Sequence, residues 1–244
     1  FNAERTATVT FTERNYDESK IRFKLKLNET SYTLTDLVNA DGIQSVSADK
    51  QDGDKHTYTI VFGKKANEES YDHDFDFLPE IEDKAGNKND GVKYADGTEA
   101  GQKFTIDMDA PVLSTEYNAW EKGAFTPGTK QEDTVYKNKN VKATYTIKER
   151  NFSASDVDGV NVVITESAKN YDEDGNLNVD ITGLNHQEQA KDKNNWNTST
   201  DHNNSLTLEF TEDGNYEFGI DYTDLAGNKL VDSTGKPVSD NKVY

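Results

Sequence analysis

Hydrophobic and polar residues alternate in short runs along the chain, and this period of two predicts β-strands. In residues 21–27 the sequence IRFKLKL puts Ile, Phe and Leu on one face and Arg and Lys on the other. No long amphipathic helix is indicated, although Asp17 and Ser153 are suited to cap short helical turns. The same alternation, with turn-forming residues between the runs, recurs in residues 7–11, 57–62, 75–81, 143–147, 160–164, 205–210 and 216–222. The pattern predicts an antiparallel all-β fold.

Three segments of the first half of the chain recur in the same order in the second half. The matches pair ATVTFTERNYD (7–17) with ATYTIKERNFS (143–153), TYTIVF (57–62) with SLTLEF (205–210), and DKAGN (83–87) with DLAGN (224–228). Because the order is kept, we interpret the chain as two copies of one unit. The predicted domains are residues 1–109 and residues 110–244, and the second carries a polar loop insertion.

The chain is strongly acidic, with a formal net charge of −19 at pH 7 that both copies share. A negative field of this size disfavours nucleic acid and anionic membranes as partners. No apolar run is long enough to span a membrane, so we expect no membrane insertion. The chain also lacks cysteine, which favours an exported bacterial protein over a secreted eukaryotic β-domain held by disulfides.

The segments DKAGN and DLAGN each follow a strand-like run. An Asp side chain accepts hydrogen bonds from backbone N–H groups a few residues later, and Gly and Asn tolerate positive φ. We therefore interpret both segments as turns. The preceding EDGNYEF (212–218) resembles the entry to the sixth strand of immunoglobulin-like domains. Phe218 stands where antibodies have a buried Cys, and Phe77 is its counterpart in the first copy.

Several short motifs extend this resemblance over nearly the whole chain. They are TERN (12–15) and KERN (148–151), the two Ala-Gly-Asn turns, and FTIDMDAP (104–111), which is similar to the linker between consecutive modules. On these motifs the chain resembles the bacterial Ig-like domains that are arrayed in cell-surface proteins of Gram-positive bacteria. The resemblance implies two tandem immunoglobulin-like antiparallel β-sandwiches, extracellular and monomeric, from a longer array on the bacterial cell surface. Some such modules carry Lys–Asn isopeptide cross-links, which require a buried Lys.

In that family each module begins with a first strand and ends with a last strand, and neither copy in this chain shows both. Residues 112–117 would form the first strand of the second copy, whereas the first copy starts at its second strand. The second copy ends at NKVY (241–244), about where its last strand should begin. We interpret the chain as a piece of a longer protein, and we expect an exposed sheet edge near residue 1 or a neighbour lying against it.

The sequence contains none of the common hydrolase or nucleotide-binding motifs, such as Gly-x-Ser-x-Gly, His-Glu-x-x-His or a Walker loop. The histidines lie in polar, loop-like segments, and their spacing suggests neither a zinc site nor a catalytic triad. They are His56, His73, His186 and His202. We predict that the protein is not an enzyme and has no organic cofactor.

Calcium is a candidate ligand at two places. In DEDGNLNVD (172–180) Asp and Asn residues stand at alternate positions, which supplies the oxygen ligands that a hard cation prefers. The glycine is misplaced for an EF-hand, and the alternative is a Gly-bearing turn between two strands. The second candidate combines the linker acids Asp107 and Asp109 with the aspartates of the Ala-Gly-Asn turns.

The charged motifs TERN and KERN favour a structural role, because both copies carry them. We expect Glu13 with Arg14 in the first copy, and the equivalent residues in the second, to form an ion pair at the strand ends. Tyr16 in the first copy and Phe152 in the second are expected to pack beneath it.

Residues 183–204 form a long polar insertion that carries Trp196 and shows no periodicity. Long loops in compact domains are often functional. Trp196 is therefore the candidate partner-binding residue, through stacking on a sugar or contact with a protein. The alternative is that Trp196 anchors the loop by packing on the sheet. Trp120 has the same two interpretations.

The sequence thus predicts a non-enzymatic tandem Ig-like module of a bacterial cell-surface protein. It would bind a host protein or a glycan, or act as a spacer. One alternative is an immunoglobulin-binding superantigen, and another is a pair of accessory domains from a secreted carbohydrate-active enzyme. The fold alone does not separate these roles.

Overall fold

A computed structural model describes most of the chain, and its regular secondary structure is mainly β. The described residues are 1–25, 31–66, 68, 71–89, 91–100, 103–117, 141–155, 161–180, 185–211 and 215–238. Strands account for 48% of the residues, and the two helices are short, which confirms the all-β, antiparallel part of the prediction. None of the described helices has the length and apolar character needed to cross a bilayer. The chain divides into two compact units, Phe1–Asp109 (unit 1) and Ala110–Tyr244 (unit 2).

The described residues of unit 1 form two antiparallel sheets and one short α-helix. Its elements are β1 (Arg5–Thr12), β2 (Arg22–Leu25), β3 (Ser31–Tyr32), α1 (Leu34–Leu37), β4 (Ile43–Val46), β5 (Lys50–Asp52), β6 (Lys55–Phe62), β7 (Asp72–Glu80) and β8 (Lys103–Asp107). The first sheet has the order β1-β6-β4, with β5 also paired to β6. The second sheet has the order β3-β2-β7-β8.

The described part of unit 2 also contains two antiparallel sheets. Its elements are β9 (Val112–Tyr117), β10 (Val141–Lys148), β11 (Val162–Tyr171), β12 (Leu177–Asp180), α2 (His186–Lys191), β13 (Trp196–Thr198), β14 (Asn203–Phe210) and β15 (Asn215–Tyr222). One sheet has the order β13-β14-β10-β9, and the other has the order β12-β11-β15.

Each unit has one hydrophobic core to which both of its sheets contribute, as in a β-sandwich. In unit 1 every second residue of β6 is buried, and Phe62 of β6 packs edge-on against Phe77 of β7, with ring centroids 5.1 Å apart. In unit 2 the core joins Leu206 of β14 to Tyr222 of β15. The alternation read from the sequence therefore points each apolar stripe toward the opposite sheet.

The strands that recur in both units, β1, β6, β2 and β7 in unit 1 and β10, β14, β11 and β15 in unit 2, pair in the same register. Equivalent pairs are Val9–Tyr58 and Tyr145–Leu206 in the first sheet of each unit, and Phe23–Pro79 and Ile164–Ile220 in the second. A slip of one residue would turn every core side chain toward solvent, so a buried face fixes the register. The repeated apolar pattern therefore imposes the same pairing twice.

The structure can be compared with several local predictions. The predicted cap at Asp17 is confirmed, because its carboxylate accepts a 3.0 Å hydrogen bond from the N–H of Ser19 at the start of a 3₁₀ turn. The polar insertion is not irregular, since it contains α2, a second 3₁₀ turn and β13. Phe77 is buried in β7 as expected. Trp120 and residues 241–244 lie outside the described residues, as does the side chain of Phe218.

Candidate functional site

Strand β1 lies at an open edge of unit 1. It pairs with β6 along its whole length, from Arg5 opposite Phe62 to Thr12 opposite Lys55. No other described strand pairs with its second side. In unit 2 the matching strand β10 lies between β14 and β9. The exposed edge expected from the sequence is therefore found in the described part of unit 1.

The apolar face of β1 is less covered than that of β10. Ala7, Val9 and Phe11 are only half-buried. Their counterparts in β10, which are at most 2% exposed, are Ala143, Tyr145 and Ile147. The two strands have nearly the same sequence and the same partner register, so the difference in burial comes from what lies beside them.

Strand β9 supplies the cover that β10 has and β1 lacks. β9 pairs antiparallel with β10, with Leu113 opposite Ile147 and Tyr117 opposite Ala143. Leu113 is itself buried in the core of unit 2. The start of β9 is also fixed by Val231, whose N–H donates to Pro111 and whose carbonyl accepts from Leu113.

The Ala-Gly-Asn segments are turns closed by their aspartates. Asp83 accepts one hydrogen bond from the backbone N–H of Asn87 at 2.8 Å and one from its side chain at 2.7 Å. Asp224 and Asn228 repeat both bonds at 2.8 Å. Gly227, which also donates to Asp224, has φ of +97°, a region that favours glycine. The side chain of Asn87, followed by its backbone N–H, lowers the pKa of Asp83 below its ordinary value.

Two buried carboxylates of unit 2 lie close together. Glu149, just after β10, and Asp224, in the turn after β15, place carboxylate oxygens within 4.8 Å of each other. Both side chains are buried, and Glu149 also accepts a hydrogen bond from the N–H of Asn151. Carboxylate oxygens are ligands that Ca²⁺ prefers. Asp224 belongs to the second calcium candidate, but its carboxylate already accepts the hydrogen bonds of its own turn. The calcium hypothesis stays a prediction.

The acidic segment between β11 and β12 has the geometry of the alternative, a Gly-bearing hairpin turn. The carboxylate of Asp172 accepts hydrogen bonds from the backbone and side chain of Asn176, at 2.8 and 3.2 Å. Gly175 has φ of +80°, as such a turn requires. The oxygens of Asp172 are thus already engaged by the turn. The side chains of Asn178 and Asp180 lie outside the described residues.

The linker acids are bound into unit 1. Asp107 ends β8 and is buried, and its carboxylate accepts a 3.2 Å hydrogen bond from the N–H of Asp109. Asp109 in turn accepts a 2.8 Å bond from the N–H of Tyr71. Asp109 therefore holds the segment after β8 against Tyr71, the residue before β7, and Asp107 holds the backbone of Asp109 in place.

Each unit also buries one histidine beside a carboxylate. His56 Nδ1 lies 2.7 Å from the carboxylate of Asp49, and His186 Nδ1 lies 2.6 Å from that of Glu166. In both cases Nε2 lies 3.3 Å from a backbone carbonyl oxygen. The expectation that these histidines lie in polar, loop-like segments is wrong, since His56 lies in β6, His186 begins α2, and both are almost fully buried.

Sequence reasoning missed that His56 and Asn204 are equivalent core residues. Each lies two residues before the first apolar residue of its strand. His56 is paired with Phe11 of β1, and Asn204 is paired with the equivalent Ile147 of β10. His56 Nε2 faces the carbonyl of Glu13, and the side chain of Asn204 donates to the carbonyl of Glu149 at 2.9 Å. Extending the alternation of β6 and β14 by one more period would have found both.

Of the two interpretations of Trp196, its burial favours the anchor over the partner-binding residue. Its side chain is 7% exposed and belongs to the core of unit 2. Its indole N–H donates a 2.8 Å hydrogen bond to the carbonyl of Ala190, and its ring packs on Phe152. A buried indole offers no face to a sugar or a partner. The alternative interpretation fits, in which Trp196 anchors the insertion to the sheet.

Glu13 and Glu149, which follow β1 and β10, each accept a hydrogen bond from a backbone N–H group two residues later. Glu13 accepts a 2.6 Å hydrogen bond from the N–H of Asn15, and Glu149 makes the equivalent 2.7 Å bond. The aromatic residue after each motif packs on another ring of the same unit, and the expected ion pair stays a prediction. Tyr16 stacks on His56 with ring centroids 3.9 Å apart, and Phe152 packs on Tyr222 at 5.2 Å.

No described lysine is buried. Lys65 is half-buried and donates a 3.0 Å hydrogen bond to the carbonyl of Ala40. An isopeptide cross-link requires a lysine enclosed with an asparagine and an acid, so the described lysines do not provide that geometry.

Comparisons with models of known protein families, with curated proteins and with solved structures found no match. The internal repeat and the geometry of the two units therefore carry the functional interpretation.

Proposed function

We propose that this chain is a non-enzymatic tandem module of a bacterial cell-surface protein, built from two Ig-like β-sandwiches that act as a spacer. The observation that carries the proposal is the repeated register of both sheets, for example Val9–Tyr58 in unit 1 and Tyr145–Leu206 in unit 2. Duplication of a whole folding unit is typical of arrays in which each copy adds length. The motifs that resemble bacterial Ig-like domains support the same role.

The placement of the polar residues supports a structural role. His56, Asn204 and Asp83 are buried, and each hydrogen-bonds to a group of its own unit. Buried polar groups that are satisfied in this way fix one arrangement of strand ends and turns. The acidic surface keeps a long protein soluble and separated from its neighbours.

Binding of a host protein or a glycan is the wider form of the proposal. Large hydrophobic side chains that are exposed include Tyr94 in unit 1, and Leu177 and Leu225 in unit 2. Trp196 is buried and has no role in this wider form. Immunoglobulin binding and an accessory role beside a carbohydrate-active enzyme stay predictions from the resemblance.

Two measurements test the proposal. Antibodies raised against the purified chain should label intact cells of the source organism, and labelling only after permeabilisation would overturn the surface location. The chain should also leave a panel of glycosidase, esterase and peptidase substrates unchanged. A serum pull-down and a glycan array then separate the two forms: no retained partner supports a spacer, and a stoichiometric partner supports binding. Turnover of any substrate that persists after repurification would contradict the non-enzymatic role.

A further inference from the structure

We propose that the open edge of β1 is a binding site for an extended peptide segment with the chemistry of β9. The segment would add to the first sheet of unit 1 as an antiparallel strand, by β-strand addition. This site is separate from the spacer role and does not depend on it.

The repeat gives the register of the added strand. In unit 2, residues 113, 115 and 117 of β9 lie opposite residues 147, 145 and 143 of β10. The counterparts in unit 1 are Phe11, Val9 and Ala7. The proposed segment therefore places a Leu opposite Phe11 and a Tyr opposite Ala7, and runs antiparallel to β1.

Backbone hydrogen bonds show which groups of β1 are available to it. Thr57 and Thr59 of β6 donate their N–H groups away from β1, to Asp49 and Ser47. The residues that alternate with them in β6 therefore bond to β1, and their partners there include Val9. Successive residues of a strand direct their backbone N–H groups to opposite sides, so the residues of β1 between these partners direct theirs away from β6. The N–H groups on the open side of β1 are those of Thr6, Thr8, Thr10 and Thr12.

Burial supplies the driving force. Val9 and Phe11 are half-buried, whereas Tyr145 and Ile147 are almost fully buried once β9 lies beside them. Apolar surface removed from water contributes to binding in proportion to its area. Leu113 enters the core of unit 2, so a leucine at this position of the segment is expected to carry much of the affinity.

From residue 6 to residue 12, the solvent-facing side chains of β1 carry no charge that would repel an added strand. The outward-facing residues of β1 from Thr6 to Thr12 are uncharged threonines. Residues 6–12 of this edge carry no charge and lack the lysines and prolines that usually protect edge strands. The edge is thus suited to accept a strand, and the segment chemistry is defined by β9.

The test uses the full chain and a synthetic peptide with the sequence of residues 110–117, APVLSTEY. Hydrogen exchange resolved by residue should slow about tenfold or more at the N–H groups of Thr8 and Thr10 when the peptide saturates the site. The equivalent groups in unit 2, Thr144 and Thr146, should not change. A control peptide carrying Leu113→Asp should give no protection.

A variant of the chain separates edge binding from other contacts. Thr8→Pro removes one N–H on the open side while leaving the bonds between β1 and β6 in place, and should weaken peptide binding about fivefold to tenfold. Thr8→Val keeps the N–H and should bind as the unchanged chain does. A circular dichroism melt checks that both variants fold.

Three results would overturn the proposal. One is exchange at Thr8 and Thr10 that is unaffected by the peptide. Another is equal binding by Thr8→Pro. The third is sedimentation showing a dimer in which these N–H groups are already protected without peptide, because a second copy would then be the occupant.

Discussion

The indole N–H of Trp196 donates a 2.8 Å hydrogen bond to the backbone carbonyl of Ala190, and this bond ties the insertion of unit 2 to its core. Trp196→Ala should lower the free energy of unfolding of unit 2 by about 3–5 kcal/mol, because it empties a large buried site. Trp196→Phe keeps part of the packing but leaves the carbonyl unpaired, and should cost about 1–3 kcal/mol. Urea unfolding followed by circular dichroism measures both values.

Leu225 provides the matched control, since it is 60% exposed at the tip of a turn in the same unit. Leu225→Ala should change stability by less than about 0.5 kcal/mol. If Trp196→Ala were as mild as Leu225→Ala, the indole would not be an anchor.

The turn aspartates predict the response of stability to acid. Hydrogen bonds from Asn87, first from its side chain, lower the pKa of Asp83 below its ordinary value of 3.8. Hydrogen bonds from Thr234 do the same to the pKa of Asp232 in unit 2. A lowered folded-state pKa contributes stability that is present above pH 4 and is lost as pH falls through the folded-state pKa. Urea midpoints measured between pH 7 and pH 2 should therefore fall below pH 4.

Asp83→Asn tests the assignment of that acid sensitivity. The variant should be less stable at pH 7 and should lose less stability between pH 4 and pH 2, because one of the responsible carboxylates is gone. An unchanged acid slope would show that Asp83 contributes nothing to it.

The buried tyrosines of unit 1 predict the response to alkali. Burial raises the pKa of Tyr16, Tyr58 and Tyr71 above the ordinary value of 10.0. The hydroxyls of Tyr16 and Tyr58 are bonded to each other, and the hydroxyl of Tyr71 donates to the carbonyl of Gly42. A raised folded-state pKa contributes stability that is present below pH 10 and is lost as pH rises toward the folded-state pKa.

Absorbance at 295 nm should therefore show a late group of tyrosines that ionise together with unfolding of unit 1. Tyr58→Phe should make this late step smaller. Tyr94→Phe, at an exposed position of the same unit, should leave the late step as it is. A single early titration of all tyrosines would contradict the burial of these hydroxyl groups.

The repeat and the period of two predicted much of the fold, because a buried stripe fixes both strand register and strand face. Tyr58, Ile60 and Phe62 were placed on the core face of β6 from alternation alone, and the structure buries all three. The turn after β7 was also predictable, since Asp83 needs only local N–H groups to close it. Local chemistry and regular spacing are the features that a sequence displays.

The contacts that the sequence could not supply are between distant segments. Trp196 stands in a polar stretch, and only the tertiary fold brings Phe152 against its ring. His186 begins a helix of six residues, too short to show a period, and its partner Glu166 lies on β11. Which polar residue is buried depends on which acceptor the fold places beside it, and spacing along the chain does not encode this.

Strand β10 has β9 paired along its second side, whereas no described strand pairs with the second side of β1. Proline substitutions in the two strands should therefore have different effects on stability. Thr144 of β10 points its N–H toward β9, because the N–H of Glu149 bonds to the β14 side, at His202. Thr144→Pro should therefore break a bond to β9 and lower the stability of unit 2 by about 1–3 kcal/mol. Thr8→Pro loses only an N–H on an open edge and should change the stability of unit 1 by less than about 1 kcal/mol. Thr8→Val and Thr144→Val retain the N–H and correct for the lost hydroxyl. Equal losses for the two prolines in urea unfolding would mean that the edge of β1 is already covered, whereas unequal losses would show that the same strand is interior in one unit and open in the other.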